Sequence, residues 1–74
     1  MILSLLKAGK KAKVLKVKGE RKLKDRLMRM GILPGEEIEV VRIAPLGSPI
    51  DVLIKGYHLS LRKEEADCIE VEEE

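Results

Sequence analysis

Hydrophobic and polar positions along the chain change period twice, and each change marks an element. From Lys11 to Lys18 the lysines alternate with Ala12, Val14 and Val17, the two-residue repeat of a half-buried strand, and the slip at Val14-Leu15 predicts a β-bulge. Arg21 to Met30 follows a different rule. Leu23, Leu27 and Met30 stand at i, i+4 and i+7, one stripe of a helix, while Lys22, Lys24, Asp25, Arg26 and Arg29 fall on its other faces. Gly31 sits where a left-handed C-terminal cap belongs, and Arg29 complements the negative end of the helix dipole. Leu23, Leu27 and Met30 are therefore expected in the core.

After the helix the pattern returns to strands. Pro34-Gly35 is a turn in which proline presets φ at the second position and glycine serves the third. Ile38 to Ala44 reads as a strand rich in β-branched residues, and Ile50, Val52 and Ile54 alternate with Asp51, Leu53 and Lys55 in another. Between them lies Pro45-Leu46-Gly47-Ser48-Pro49, where Pro45 and Pro49 stiffen entry and exit, Gly47 permits the reversal and Leu46 forms an apolar tip. Gly56-Tyr57-His58 reads as the next turn, Leu59 to Arg62 as a short strand, Lys63 to Asp67 as a single helical turn and Ile69 to Val71 as a closing strand. Ser4 to Gly9 is a turn before the first strand, and Glu72 to Glu74 a frayed acidic tail. Five or six short strands with one helix inserted after the first predict a mainly β fold, a small and strongly bent barrel.

Composition narrows the chemistry. With 74 residues the whole chain, 1–74, is expected to form one domain around one core. Aromatic residues make up only 1%, so that core must be built from Val, Ile, Leu and Met, and an aromatic-lined pocket is excluded. No apolar run reaches the ~18–20 residues that cross a bilayer, which argues against direct membrane insertion. Cys68 is alone, and Met1 to Leu6 has no basic region before it, so a cytoplasmic protein is expected. Asn, Gln, Thr, Trp and Phe are absent while Lys and Glu abound, a bias associated with heat-adapted proteins.

The net charge of +2 conceals a division: between Lys7 and Arg29 eleven Lys or Arg stand against Glu20 and Asp25, leaving a local +9 and a remainder of −7. Either the two halves meet in space or one face is basic. Lys22, Arg26 and Arg29 are the candidates for a charged contact surface, with Leu46 and Tyr57 as its apolar contacts.

Catalysis finds no support. One histidine, one cysteine and serines at 4, 48 and 60 form no nucleophile elbow, and no phosphate-cradling glycine motif is present, so the chain is not expected to be an enzyme. Transition-metal ligands would have to come from His58, Cys68, Asp51, Glu64, Glu65 and Asp67, none at a recognised chelating spacing. Weak binding of a divalent transition metal at His58, Glu64 or Asp67 is the most this pattern offers, and no cofactor is expected. Base stacking needs aromatics, and Tyr57 is the only one, which argues against nucleic acid as a partner.

The run LMRMGILPGEEIEVVRIAPLGSPIDVLIKGYHLSLRKEEADCIEV resembles the FeoA family of ferrous iron transport proteins. Met30-Gly31-Ile32, Pro34-Gly35, Pro45-Leu46-Gly47-Ser48-Pro49, Tyr57 and Leu59-Ser60-Leu61-Arg62 carry the likeness over nearly the whole chain. A related domain ends the iron-dependent repressors of the diphtheria-toxin-repressor type. The resemblance implies an SH3-like barrel that works beside the membrane GTPase FeoB, membrane-associated only through that partner. It implies a non-enzymatic adaptor docking on the cytosolic part of FeoB. A metal-responsive module, a small RNA-binding barrel and a homodimer are the alternatives.

Overall fold

The computed structural model describes residues 1–74. Strands β1 (Lys11–Val17), β2 (Glu37–Ile43), β3 (Ile50–Ile54), β4 (Tyr57–Leu61) and β5 (Ile69–Glu73) form one antiparallel sheet in the order β4-β3-β2-β1-β5. Helix α1 (Arg21–Arg29) follows β1, and the short helix α2 (Lys63–Ala66) joins β4 to β5. The mainly β architecture with one principal helix after the first strand is the one the pattern predicts.

Two bulges bend the sheet. On β1, Val14 faces Val71 and Lys16 faces Glu70, so Leu15 is the extra residue; on β2, Val40 faces Val52 and Arg42 faces Asp51, so Val41 is extra. Each extra residue turns to solvent and resets the alternation, which is why Val17 rather than Lys16 returns to the interior. The bulge at Leu15 lies where the slip in the sequence placed it.

Sixteen aliphatic side chains form the core, among them Val14, Leu27, Ile38, Val52, Ile54, Leu61 and Val71. The N-terminal segment contributes more than a turn: Leu3–Leu5 winds into one 3-10 turn that sets Leu3 and Leu6 into this core. Of the three residues on the helix stripe, Leu27 is fully buried, whereas Leu23 and Met30 are only partly covered and pack on the margin of the core.

The end of α1 is a Schellman cap. The Gly31 N–H donates to the Met28 carbonyl and the Ile32 N–H to the Leu27 carbonyl at 3.2 Å, with Gly31 at φ +101°. Ile32 and Leu27, both buried, supply the apolar contact that accompanies this motif. Pro34-Gly35 then turns the chain as expected, the Glu36 N–H donating to the Leu33 carbonyl.

Two boundaries differ from expectation. The turn between β3 and β4 is Lys55-Gly56, both at positive φ, and Tyr57 and His58 already belong to β4, with Ile54 facing Tyr57. Residues 72–74 are not frayed. Glu72 and Glu73 extend β5 opposite Lys13 and Ala12, and the Glu74 N–H donates to the Lys11 carbonyl at 3.0 Å. Opposite charges across the ladder favour this pairing, a contribution invisible in a run of acids read alone.

Candidate functional site

The strand register decides which part of the basic segment remains available. Lys11 and Lys13 face Glu39 and Glu37 on β2, while Lys13 and Lys16 face Glu72 and Glu70 on β5. Lys18 adds an ion pair to Glu70 at 2.6 Å. The lysines of β1 thus lie between two rows of carboxylates. Outside β1, most of the positive charge of the segment lies on α1.

On α1, Lys22, Arg26 and Arg29 recur at i, i+4 and i+7 and are all exposed, on the face next to the stripe that buries Leu27. With Glu20 and Leu23 they line an open groove of about 440 Å³. The three cations are not equivalent. Arg26 donates to the carboxylate of Glu65, which is 5% exposed, and the other oxygen of Glu65 accepts the Arg62 N–H at 2.8 Å. Glu65 therefore caps α2 and clasps α1 to it at once. Lys22 and Arg29 have no such partner.

The sequence offers Glu65 only as one metal donor among others, and its structural role is not apparent there. The signal was half of a capping box: glutamate stands three residues after Arg62, but the usual serine or threonine N-cap is absent.

Leu46 is the most exposed of the large apolar residues at 96%, and Tyr57, at 68%, is exposed to the same degree as Leu5 at 66%. Leu46 tops a turn closed by the Gly47 N–H donating to the Ala44 carbonyl at 2.8 Å, and Ser48-Pro49 is a cis peptide. The Ser48 hydroxyl accepts the Lys63 N–H at 3.2 Å, tying this loop to the start of α2. Tyr57 stands at the other end of the β3–β4 hairpin, because Ile54 faces Tyr57 while Ile50, next to the loop, faces Leu61. The two apolar contacts are not one patch; they flank the barrel from opposite ends.

The weak metal candidates are dispersed. His58 faces Leu53 on the exposed edge of the sheet, Glu64 lies on the solvent side of α2, and Asp67 accepts the Ser4 hydroxyl and the Lys63 ammonium. No three His, Cys, Asp or Glu side chains converge. The Cys68 thiol is half-buried and turns to the Glu64 carbonyl at 3.4 Å.

Ionisation follows the same contacts. The Ser4 hydroxyl, then Lys63, hold the Asp67 carboxyl below its ordinary value, and Lys18 does the same for Glu70. Glu74 moves the other way, raised by its hydrogen bond with Glu37. A depressed carboxyl stabilises the fold above its unfolded pKa and loses that contribution as pH falls through the folded value; the raised Glu74 contributes at acid pH and loses its contribution as pH rises. The contributions of Asp67 and Glu70 are accordingly expected to fade as pH falls from the ordinary carboxylate range through their lowered values. Ser4→Ala should move the acid midpoint of a circular-dichroism titration upward; an unmoved midpoint would remove Asp67 from this account.

A bent antiparallel barrel of five short strands, with a helix inserted after the first, places the protein in the SH3-like class of small domains. Residues 1–73 match the family model described as the FeoA domain, and the chain belongs to that family. It is 42% identical over 72 residues to a Fe(2+) transport protein A/Fe(2+) transporter FeoB fusion protein of Porphyromonas gingivalis, a match that covers 97% of this chain and 8% of the fusion. The chain thus spans a small fraction of that relative's length. Iron(II) transport protein A of Clostridium thermocellum superposes with a TM-score of 0.93 at 46% identity, covering 99% of this chain and 45% of that one. FeoA of Stenotrophomonas maltophilia, an SH3 domain protein crystallised in complex with zinc, gives 0.87 at 30% identity over 97% of this chain and 89% of that one. A manganese-dependent transcriptional repressor shares the fold, with a TM-score of 0.92 at 18% identity.

Proposed function

We propose that this chain is a non-enzymatic adaptor of ferrous iron uptake that docks on the cytosolic part of a FeoB transporter through the cationic face of α1. The observation that carries this reading is the fusion relative, in which a domain 42% identical to this one is covalently joined to FeoB. Such a link holds two modules at an effective concentration near the millimolar range, which favours pairs that function in contact. Lys22 and Arg29 provide unpaired charge for steering, Leu23 gives the groove an apolar floor, and Leu46 and Tyr57 are flanking contacts.

Docking alters the transporter only if one of its states is bound more tightly than another. A preference of about 1–3 kcal/mol suffices for a several-fold to hundredfold shift.

Amide NMR of labelled protein titrated with the cytosolic GTPase domain of FeoB tests the reading. Shifts should gather on Lys22 to Arg29, and the double variant Lys22→Glu, Arg29→Glu should bind at least about tenfold more weakly and with less salt dependence while keeping its fold. Undiminished binding by that variant would exclude the α1 face. Shifts with ferrous ion alone, centred on His58, Glu64 or Asp67, would instead favour a metal-responsive module, the reading to which the zinc complex of the Stenotrophomonas relative lends weight.

A further inference from the structure

Sheets in small proteins have two edges, and this one treats them differently. The outer edge of β5 is covered: Ile2 bridges to Glu70, and the Val71 N–H donates to the Met1 carbonyl at 2.7 Å. Its residues Glu70, Glu72 and Glu73 also carry charge, a usual guard against pairing with another strand. At the other edge, β4 has neither defence. Tyr57-His58-Leu59-Ser60-Leu61 is the one strand of the five without Asp, Glu, Lys or Arg, in a chain that is 38% charged, and it contains no proline or bulge.

The hairpin geometry fixes what this edge presents. Across the two-residue turn, Ile54 and Tyr57 exchange both of their backbone bonds, so alternation directs the N–H and C=O of His58 and Ser60 away from β3. No loop or cap supplies these four groups with a partner. Tyr57, Leu59 and Leu61 lie on the same face as the buried Ile54, Val52 and Ile50 opposite them, yet only Leu61 is fully covered. The apolar interior therefore runs out to an open margin at Leu59 and Tyr57.

We propose that the β4 edge is a self-association surface, on which β4 of a second copy adds antiparallel and joins the two sheets. A two-fold axis at Leu59 satisfies every outward group. His58 of each copy then exchanges both backbone bonds with Ser60 of the other, giving four hydrogen bonds, and the two Leu59 side chains meet as the closer, non-hydrogen-bonded pair. Tyr57 of each copy lies opposite Leu61 of the other and covers the open margin of the core. β4 itself carries no formal charge, and the lysines that its pairing brings near each other at the two ends, Lys55 and Lys63, each have a carboxylate partner in their own chain, Glu36 and Asp67. The contact is small beside the ~1,200–2,000 Å² of stable complexes, so the equilibrium is a weak one, read at high concentration. It uses none of the α1 residues assigned above to FeoB and shares with that docking only the flanking Tyr57.

Sedimentation equilibrium from micromolar to millimolar protein should show the mass rising from 8.3 kDa toward twice that value. Amide exchange should slow with concentration at His58 and Ser60, the outward positions, more than at Tyr57, Leu59 and Leu61. Ser60→Pro removes an outward donor at a position that an edge strand tolerates, and Ser60→Lys adds the charge that other edges carry; each should weaken association at least about tenfold with an unchanged circular-dichroism spectrum. A mass constant to millimolar concentration would overturn the proposal, as would association undiminished in both variants. Protection of His58 and Ser60 only when the FeoB domain is added would also overturn it, and would give the edge to the transporter.

Discussion

Leu27→Ala is expected to lower the unfolding free energy by about 2–5 kcal/mol. Leu27 is fully buried, and its carbonyl accepts the Ile32 N–H that closes the cap of α1. Native stabilities near 0.05–0.15 kcal/mol per residue give a chain of this length about 4–11 kcal/mol in all, so the variant should be partly or wholly unfolded at 37 °C. Urea titration followed by circular dichroism measures the loss. Leu23→Ala is the control on the same stripe. Leu23 is only partly covered, and its loss should be about 1 kcal/mol or less. Equal losses would mean that α1 is buried along its whole stripe, contrary to the structure.

Arg26→Glu carries the second large effect. It removes the cation that answers Glu65 and sets another carboxylate beside one that is already out of water. Breaking a fully buried pair costs about 3–5 kcal/mol; because Arg26 itself is largely solvated, about 2 kcal/mol is the expected loss. Arg26→Ala should cost less than Arg26→Glu, and a double-mutant cycle with Glu65→Ala should return a coupling near 1 kcal/mol or above. A cycle without coupling would free Arg26 from its structural role. Until it is freed, reversal at Arg26 disturbs the fold, whereas reversal at Lys22 and Arg29, which have no ion-pair partner, should leave the fold intact and so gives the cleaner test of the proposed docking face.

The strands and α1 were legible because their signals are local. Alternation marks β1 and β3, and the run of β-branched residues β2; the i, i+4, i+7 stripe marks α1, and Gly31 its cap. What escaped the sequence depends on partners distant along the chain. Glu72 and Glu73 read as a solvated tail until β1 supplies their opposite row of backbone and lysines. Leu3 and Leu6 reach the core from a 3-10 turn too short to show a period. The β3–β4 turn starts one residue, and β4 two residues, before the sequence pattern suggests, since Lys55 at φ +53° is not a residue type that announces a left-handed position.

The candidate site divides in the same way. Lys22, Arg26 and Arg29 were visible as one helical face, and the structure sets them around one groove. That Arg26 is engaged by Glu65 rests on a contact across 39 positions, beyond any local motif. Leu46 and Tyr57, grouped by their exposure and chemistry, prove to occupy opposite ends of a hairpin.

Tyr57 is the sole aromatic residue, and it stands outside the core. Its near-ultraviolet absorption and fluorescence therefore report the wetting of one hairpin edge, while the aliphatic interior is spectroscopically silent. Unfolding should pass with little change in tyrosine emission, since the ring is already hydrated in the native barrel. Contact at β4 should change it, without any label introduced into the chain.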